Sequence, residues 1–401
     1  MSAVETVVRL AARGDGVTDA GRFLSGVAPG DKVIAEGESV TVEAGPHRQT
    51  PPCRHFPECG GCQLQHVDDA AYAEWVSARI VHALESQGVA IGAIEPVHLS
   101  PPRSRRRASL RAVRRGKAIE LGFNAESSHR IVDLKECHIL QPALFALIAP
   151  LRELLAPLIR EGQGAGVTMT VTDGGIDLLL SNIDARPFAV LDRLTQFAVT
   201  HGLARLAVET SQGVDIITYG EAVVRFGGVP VALPPGAFLQ ATPDGEAALV
   251  NAVLAATEGA KSIADLFCGA GTFALPLSAH AKVHAADAAG GAVQALESAA
   301  RMAGRRLTTE HRDLFRRPLR AEELKRFDAV AIDPPRAGAK EQIAELAKSK
   351  VPVIGAVSCN PNTFARDAAM LVEAGFRIER LWPVGQFRWS THVELAARLV
   401  R

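Results

Sequence analysis

Residues 262–277 read SIADLFCGAGTFALPL. An apolar run of strand length meets glycines at 269 and 271, and a second apolar run follows them. That is strand, tight loop, helix. The same grammar repeats to the end of the chain. KVHAAD (282–287) runs into AAGGAVQALESAARMAG, FDAVAID (327–333) into PPRAG, and VPVIGAVSC (351–359) into NPNTFARDAAMLVEAG. The strand runs are apolar throughout rather than alternating, as in a parallel sheet covered by helices on both faces. Residues 236–401 therefore read as an α/β, doubly wound, Rossmann-like domain.

The grammar changes upstream of this domain. Residues 103–235 mix strand patterns (SLRAVRR, ELGFN, VTMTVTD, IDLLLSN) with two helical ones, PALFALIAPLRELLAPLIR and ARPFAVLDRLTQFAVTHG. This predicts a central α+β domain over 46–235. Within it, DDAAYAEWVSARIVHALESQ (68–87) is an amphipathic helix with Tyr72, Trp75, Val76, Ile80, Ala83 and Leu84 on one stripe. That helix is a candidate to leave the central domain and dock on the sheet. Residues 1–45 show short runs broken by glycines, Gly37 among them, and predict a small β-barrel. PHRQTPP (46–52) reads as a linker.

The 401 residues are 47% hydrophobic and 22% charged, enough for several cores. Lys+Arg and Asp+Glu are equal at 44 each, so net charge does not point to nucleic acid. The distribution does. RSRRRASLRAVRRGK (103–117) holds eight basic side chains and no acid, either a solvated hairpin or a surface for phosphates. No apolar stretch reaches the roughly 18 residues of a membrane span, and the N-terminus lacks the apolar core of a signal peptide. The expectation is a cytoplasmic monomer with reduced cysteines.

The six cysteines divide into two groups. Cys53, Cys59 and Cys62 form CRHFPECGGC, and Cys137 arrives from DLKECHIL. Four converging thiolates suit zinc or an iron–sulfur cluster, and spacing alone leaves both open. Cys268 sits in the glycine loop as a small residue. Cys359 ends a strand run at Asn-Pro-Asn, where a helix begins behind it.

In doubly wound sheets ligands bind at the carboxyl ends of the strands. Those ends carry Gly269 and Gly271, then Asp287 about 20 residues on, Asp313 in EHRD, Asp333 in DPPRAG, and Cys359. The first loop is not G-x-G-x-x-G, so a dinucleotide fits poorly. An adenosine ligand without pyrophosphate fits better, and S-adenosylmethionine is the natural candidate. A strand-end thiol beside a helix start, with Arg336 nearby, reads as a nucleophilic thiolate. HVELAARL alternates as a final strand with Glu394 and His392 opposite its apolar face. An isolated glutamate there is by default a solvated residue. If the strand inserts beside the one ending at Cys359, Glu394 can act as a base. Thiolate, methyl donor and base together describe C5 methylation of a pyrimidine: attack on C6 makes C5 nucleophilic, and the C5 proton must then be removed.

FLQ (238–240), DLFCGAGTFALPL (265–277), DPPRAG (333–338), SCNPNTFARD (358–367) and HVE (392–394), in this order, resemble the RNA uracil-5-methyltransferases, the family of the transfer-RNA and 23S ribosomal-RNA 5-methyluridine enzymes. The resemblance implies Cys359 as nucleophile and Glu394 as base. It implies donor contacts from Gln240, Phe267, Asp287, Asp313 and Asp333, with the loop residues Gly269, Gly271 and Thr272. It implies a [4Fe-4S] cluster on Cys53, Cys59, Cys62 and Cys137, and an OB-like (TRAM-like) RNA-binding barrel at the N-terminus. The implied substrate is a flipped uridine in RNA, of the 23S ribosomal branch, with transfer RNA as the alternative. Thr272 and Gly385 depart from the asparagine and aspartate that many relatives carry. Two rivals stand apart from this reading: an amino-methyltransferase, which would survive Cys359→Ala, and a non-catalytic iron–sulfur RNA-binding protein.

Overall fold

The computed structural model describes residues 4–36, 39–218 and 220–401. Gly37 lies outside the described residues.

The strand runs of the last third do assemble into one sheet. Its order is Leu307–His311, Lys282–Asp287, Ser262–Leu266, Ala329–Ile332, Val353–Ser358, Glu394–Val400 and Arg377–Gly385, closed at the far edge by Ile91–Ile94 and His98–Leu99. The first five strands are parallel. Glu394–Val400 then inserts antiparallel between Val353–Ser358 and Arg377–Gly385. Every residue of Ala329–Ile332 is buried, as the unbroken apolar runs require.

Besides those edge strands, a helix and a hairpin from the first two-thirds of the chain pack on this unit. The helix Asp69–Glu85, N-capped by the Asp68 carboxylate on the Ala71 N–H, buries its Tyr72–Leu84 stripe in the core that also holds Leu371 and Leu395. The hairpin Val223–Phe226/Val229–Ala232 buries Val224, Phe226, Val229 and Val231 with Leu249 and Leu296. The apolar core thus begins upstream of residue 236, because the hairpin covers one face of the sheet.

A second sheet of seven strands runs Ile131–Asp133, Ala118–Asn124, Arg107–Arg115, Gly164–Thr172, Gly175–Ser181, Arg205–Thr210 and Gly213–Thr218. One pair in it is parallel, Gly175–Ser181 with Arg205–Thr210, joined through the helix Phe188–Thr200. The segment that reads as one helix over 142–160 is two, Pro142–Ala146 and Ile148–Leu155. Pro150 has no N–H to continue a preceding helix, so it is accommodated only in a first turn.

The N-terminal strands form an open five-stranded sheet, ordered Phe23–Leu24, Gly16–Thr18, Val4–Leu10, Lys32–Glu36, Ser39–Glu43. Among the described residues its two edge strands do not pair, so it is not a closed barrel. Its core is small: Val7, Val27 and Val33 with Leu24. Two polar anchors hold it. Asp31, fully buried, accepts from the Ala28 and Gly45 N–H groups and from Arg48. The Trp75 indole N–H donates to the Ala11 carbonyl at 2.9 Å.

Candidate active site

The strand ends converge as the doubly wound topology requires. Ser358 pairs with Leu395 and Val357 with Ala396. Just past the end of this ladder, Cys359 and the strand-opening Glu394 line the same cavities. Asn360 N-caps the helix Pro361–Glu373 through the Asn362 N–H, and its amide donates to the Arg336 carbonyl at 3.1 Å. The Thr363 hydroxyl donates to the same carbonyl at 3.1 Å. The DPPRAG loop is thereby tied to the residue after the thiol.

Two cavities open around this point. One, of about 740 Å³, is lined by Phe267, Gly269, Asp287, Phe315, Asp333 and Gln240. The other, of about 750 Å³, is lined by Arg105, Arg107, Arg111, Asn124, Phe387 and His392. Four residues line both: Cys359, Glu394, Arg336 and Phe238.

The first cavity is built on the loop after Ser262–Leu266. Phe267 is at φ 63°, in the left-handed region that a bulky residue rarely enters, and its ring lies 5.4 Å from that of Phe315. The Asp287 carboxylate accepts from the Gly269 N–H at 2.9 Å and the Ala289 N–H at 2.7 Å, so it is fixed at the cavity wall. Gly271, Thr272 and Asp313 do not line the cavity. A Cβ on Gly271 would come within 2.5 Å of Leu296, so that glycine serves packing. Asp313 accepts from the Phe315 and Arg316 N–H groups, which shapes the turn that presents Phe315.

The electrostatics run against one expectation. The Cys359 thiol is pushed up to about 11, by burial first and then by Glu394 and Asp333; Arg336 opposes this and does not prevail. Burial and the neighbouring carboxyl groups thus favour the thiol form of Cys359 over the thiolate. Glu394 is 4% exposed rather than solvated, because its strand is interior to the sheet and both faces are covered. Burial and Asp333 push its carboxyl up to about 8, against a hydrogen bond from Gln386. Asp333 is raised to about 7 by burial and by Asp287. Beneath them Asp265 is fully buried, with neither carboxylate oxygen hydrogen-bonded. The site concentrates carboxyl groups that burial and mutual repulsion push above the usual carboxylate range.

Two further side chains stand at the site, Gln386 and Phe238. Gln386 donates to the Gln240 side-chain oxygen at 2.7 Å and accepts from the Ala241 N–H at 3.0 Å. Phe238 is 68% exposed where the cavities meet. It stands in the FLQ motif of a chain poor in aromatics, which is the signal for it.

The basic run 103–117 does not form one surface. Arg106 is buried in an ion pair with Glu246 at 2.5 Å. Arg114 donates to the Ala156 and Ile159 carbonyls, and Arg115 pairs with Glu120. Arg105, Arg107 and Arg111 face the second cavity. The Nε of Arg107 has no partner. The Arg105 guanidinium lies 5.6 Å from the Phe123 ring centroid and 5.5 Å from that of Phe387.

Cys53, Cys59, Cys62 and Cys137 line one small cavity, and none is in a disulfide. Among the described residues no group of three or more His, Cys, Asp or Glu side chains is arranged around a position for a metal ion. Likewise no helix among them is long and apolar enough to cross a membrane.

Residues 233–401 match the family described as tRNA (uracil-5-)-methyltransferase. The chain is 46% identical over 393 residues to an RNA methyltransferase of Zymomonas mobilis, covering 98% of each chain. It is 31% identical over 400 residues to the 23S rRNA (uracil(1939)-C(5))-methyltransferase of Pectobacterium atrosepticum, covering 94% of this chain and 88% of that one. The Pyrococcus abyssi tRNA (uracil-54, C5)-methyltransferase, solved with S-adenosyl-L-homocysteine, superposes with a TM-score of 0.77 over 100% of both chains at 23% identity, a likeness of fold.

Proposed function

The chain belongs to the RNA uracil-5-methyltransferase family, and on that premise we propose that it methylates C5 of one uridine in 23S ribosomal RNA, with Cys359 as nucleophile and Glu394 as base. The observation that carries this reading is the meeting of two cavities at those two side chains. The cavity with Gly269 and Asp287 suits S-adenosylmethionine, which supplies an electrophilic methyl group. Its carboxyl-rich wall suits a sulfonium cation. The arginine-lined cavity suits RNA, whose phosphates Arg107 and Arg111 would meet. The relative at 31% identity favours the ribosomal substrate.

The chemistry follows from the positions. A uridine in a stem leaves its stack to reach the junction. Cys359 gives up its proton to water, and its Sγ bonds to C6. The π pair of C5–C6 moves toward O4 as an enolate, and C5 then bonds to the methyl carbon while that carbon's bond to the donor sulfur breaks, its electron pair staying on the sulfur and leaving a neutral thioether. The Glu394 carboxylate takes the C5 proton, the C6–S bond breaks, and the pyrimidine double bond returns. Gln386 holds Glu394 and Gln240 in one hydrogen-bonded set.

Cys53, Cys59, Cys62 and Cys137 would hold a [4Fe-4S] cluster. A cluster fills a space between thiolates, which suits a cavity walled by four cysteines better than a single ion in direct contact does. The nearby Arg105 adds a cation beside those thiols, as a negatively charged centre would want.

The test is transfer of labelled methyl groups from S-adenosylmethionine to RNA from cells lacking the enzyme. The proposal expects 5-methyluridine at one position in 23S ribosomal RNA, and none with Cys359→Ala. Label in transfer RNA, or on a nitrogen with Cys359→Ala active, would refute it.

A further inference from the structure

The residues directly after Cys62 support the segment that delivers Glu394. The backbone N–H groups of Gln63 and Leu64 both donate to the Trp389 carbonyl at 2.8 Å. The Gln63 side chain donates to the Gly60 carbonyl at 2.7 Å, and its oxygen accepts from the Thr391 N–H at 3.4 Å. Trp389 is at φ 59°, a conformation a bulky residue keeps only where its surroundings enforce it. Its side chain is 4% exposed and packs with Cys62 and Ile139. Five residues on, the strand begins at Glu394. Gly60, Gly61 and Gln63 also wall the same cavity as Cys359 and Glu394.

We infer that Gln63 is a positioning residue: it links the cysteine loop to residues 389–391 and so places Glu394 for the proton-removing half of the reaction. The inference rests on the proposed roles of Cys359 and Glu394. In that half-reaction the C5–H electrons form the C5–C6 double bond, the C6–S electrons return to sulfur, and the proton goes to Glu394. None of these events needs Gln63 to touch the substrate. They need the carboxylate at C5, and a misplacement of about 1 Å can cost on the order of a hundredfold in rate.

The experiment uses the full-length protein with S-adenosylmethionine and two RNAs, one with uridine and one with 5-fluorouridine. Fluorine at C5 cannot leave as a proton, so covalent trapping of the fluorinated RNA reports attack and methyl transfer without the base. Gln63→Ala is expected to trap fluorinated RNA at the wild-type rate. It should turn over uridine RNA about tenfold or more slowly, and accumulate a methylated protein–RNA adduct. Gln63→Glu retains the acceptor toward Thr391 and should recover part of the rate. An unchanged melting temperature in both variants shows that the fold around the cysteines is intact. Wild-type behaviour of Gln63→Ala on both RNAs, or equal losses on both, overturns the inference. Glu394→Gln run in parallel separates the premise. If it fails to accumulate adduct, the base assignment itself is wrong; if it does while Gln63→Ala does not, only the role of Gln63 falls.

Discussion

Burial raises both side chains that are proposed to carry the reaction, Cys359 and Glu394. Cys359 lies at about 11 and Glu394 at about 8, each raised first by burial and then by carboxylates across the junction. A positive ligand beside Asp333 would offset the carboxylate part of both shifts, so the donor's charge would be part of the activation. Two outcomes follow. Glu394→Gln removes a charge that raises the thiol, so at pH 8.5 its Cys359 should alkylate faster than wild type, read by mass spectrometry of the 351–366 peptide; an unchanged rate contradicts the coupling. The second concerns stability. Glu394 titrates near 4.5 unfolded and near 8 folded, so between those values the folded state binds more protons. Stability therefore falls as pH rises through that window. The melting temperature of the donor-free protein should drop from pH 5 to 8, and the drop should be smaller in Glu394→Gln. The chemical identity of this pair was legible in SCNP and HVE. Their protonation was not, because it depends on Asp333 and Asp287, which only the sheet brings alongside.

Among the elements, the strands of the last third were legible because parallel strands covered on both faces are written as unbroken apolar runs. The burial of Glu394 was not. An alternating pattern on the final strand implies one wet face, but insertion between two neighbours removes it. Also hidden were the hairpin at 223–232 and the strands at 91–94 and 98–99, which are too short to carry a period and gain their place from long-range pairing. The helix Asp69–Glu85 does more than cover the sheet. Its fully buried Tyr72 hydroxyl donates to the Ser390 carbonyl at 2.9 Å and lies 3.2 Å from that of Phe387. Tyr72→Phe leaves those carbonyls dry and should cost about 1–3 kcal/mol in urea unfolding. An unaltered midpoint would show that this contact does not anchor the segment.

Across the whole molecule, the seven-stranded sheet brings arginines to a junction that the nine-stranded sheet supplies with Cys359 and Glu394. The run 103–117 suggested one basic face, yet strand alternation and internal ion pairs leave Arg105, Arg107 and Arg111 on the cavity. Replacing Arg107 and Arg111 together by alanine should weaken RNA binding with little regard to sequence and make its salt dependence shallower by about one to two in log–log slope. A slope equal to wild type would remove them from the phosphate contacts.

The central claim is covalent catalysis at Cys359. Its most direct measurement is a denaturing gel of the protein with S-adenosylmethionine and 5-fluorouridine RNA. Covalent catalysis gives a donor-dependent protein–RNA adduct, absent in Cys359→Ala, with the adduct mapped to the peptide bearing Cys359. Turnover of uridine RNA by Cys359→Ala, with no adduct in wild type, would contradict it.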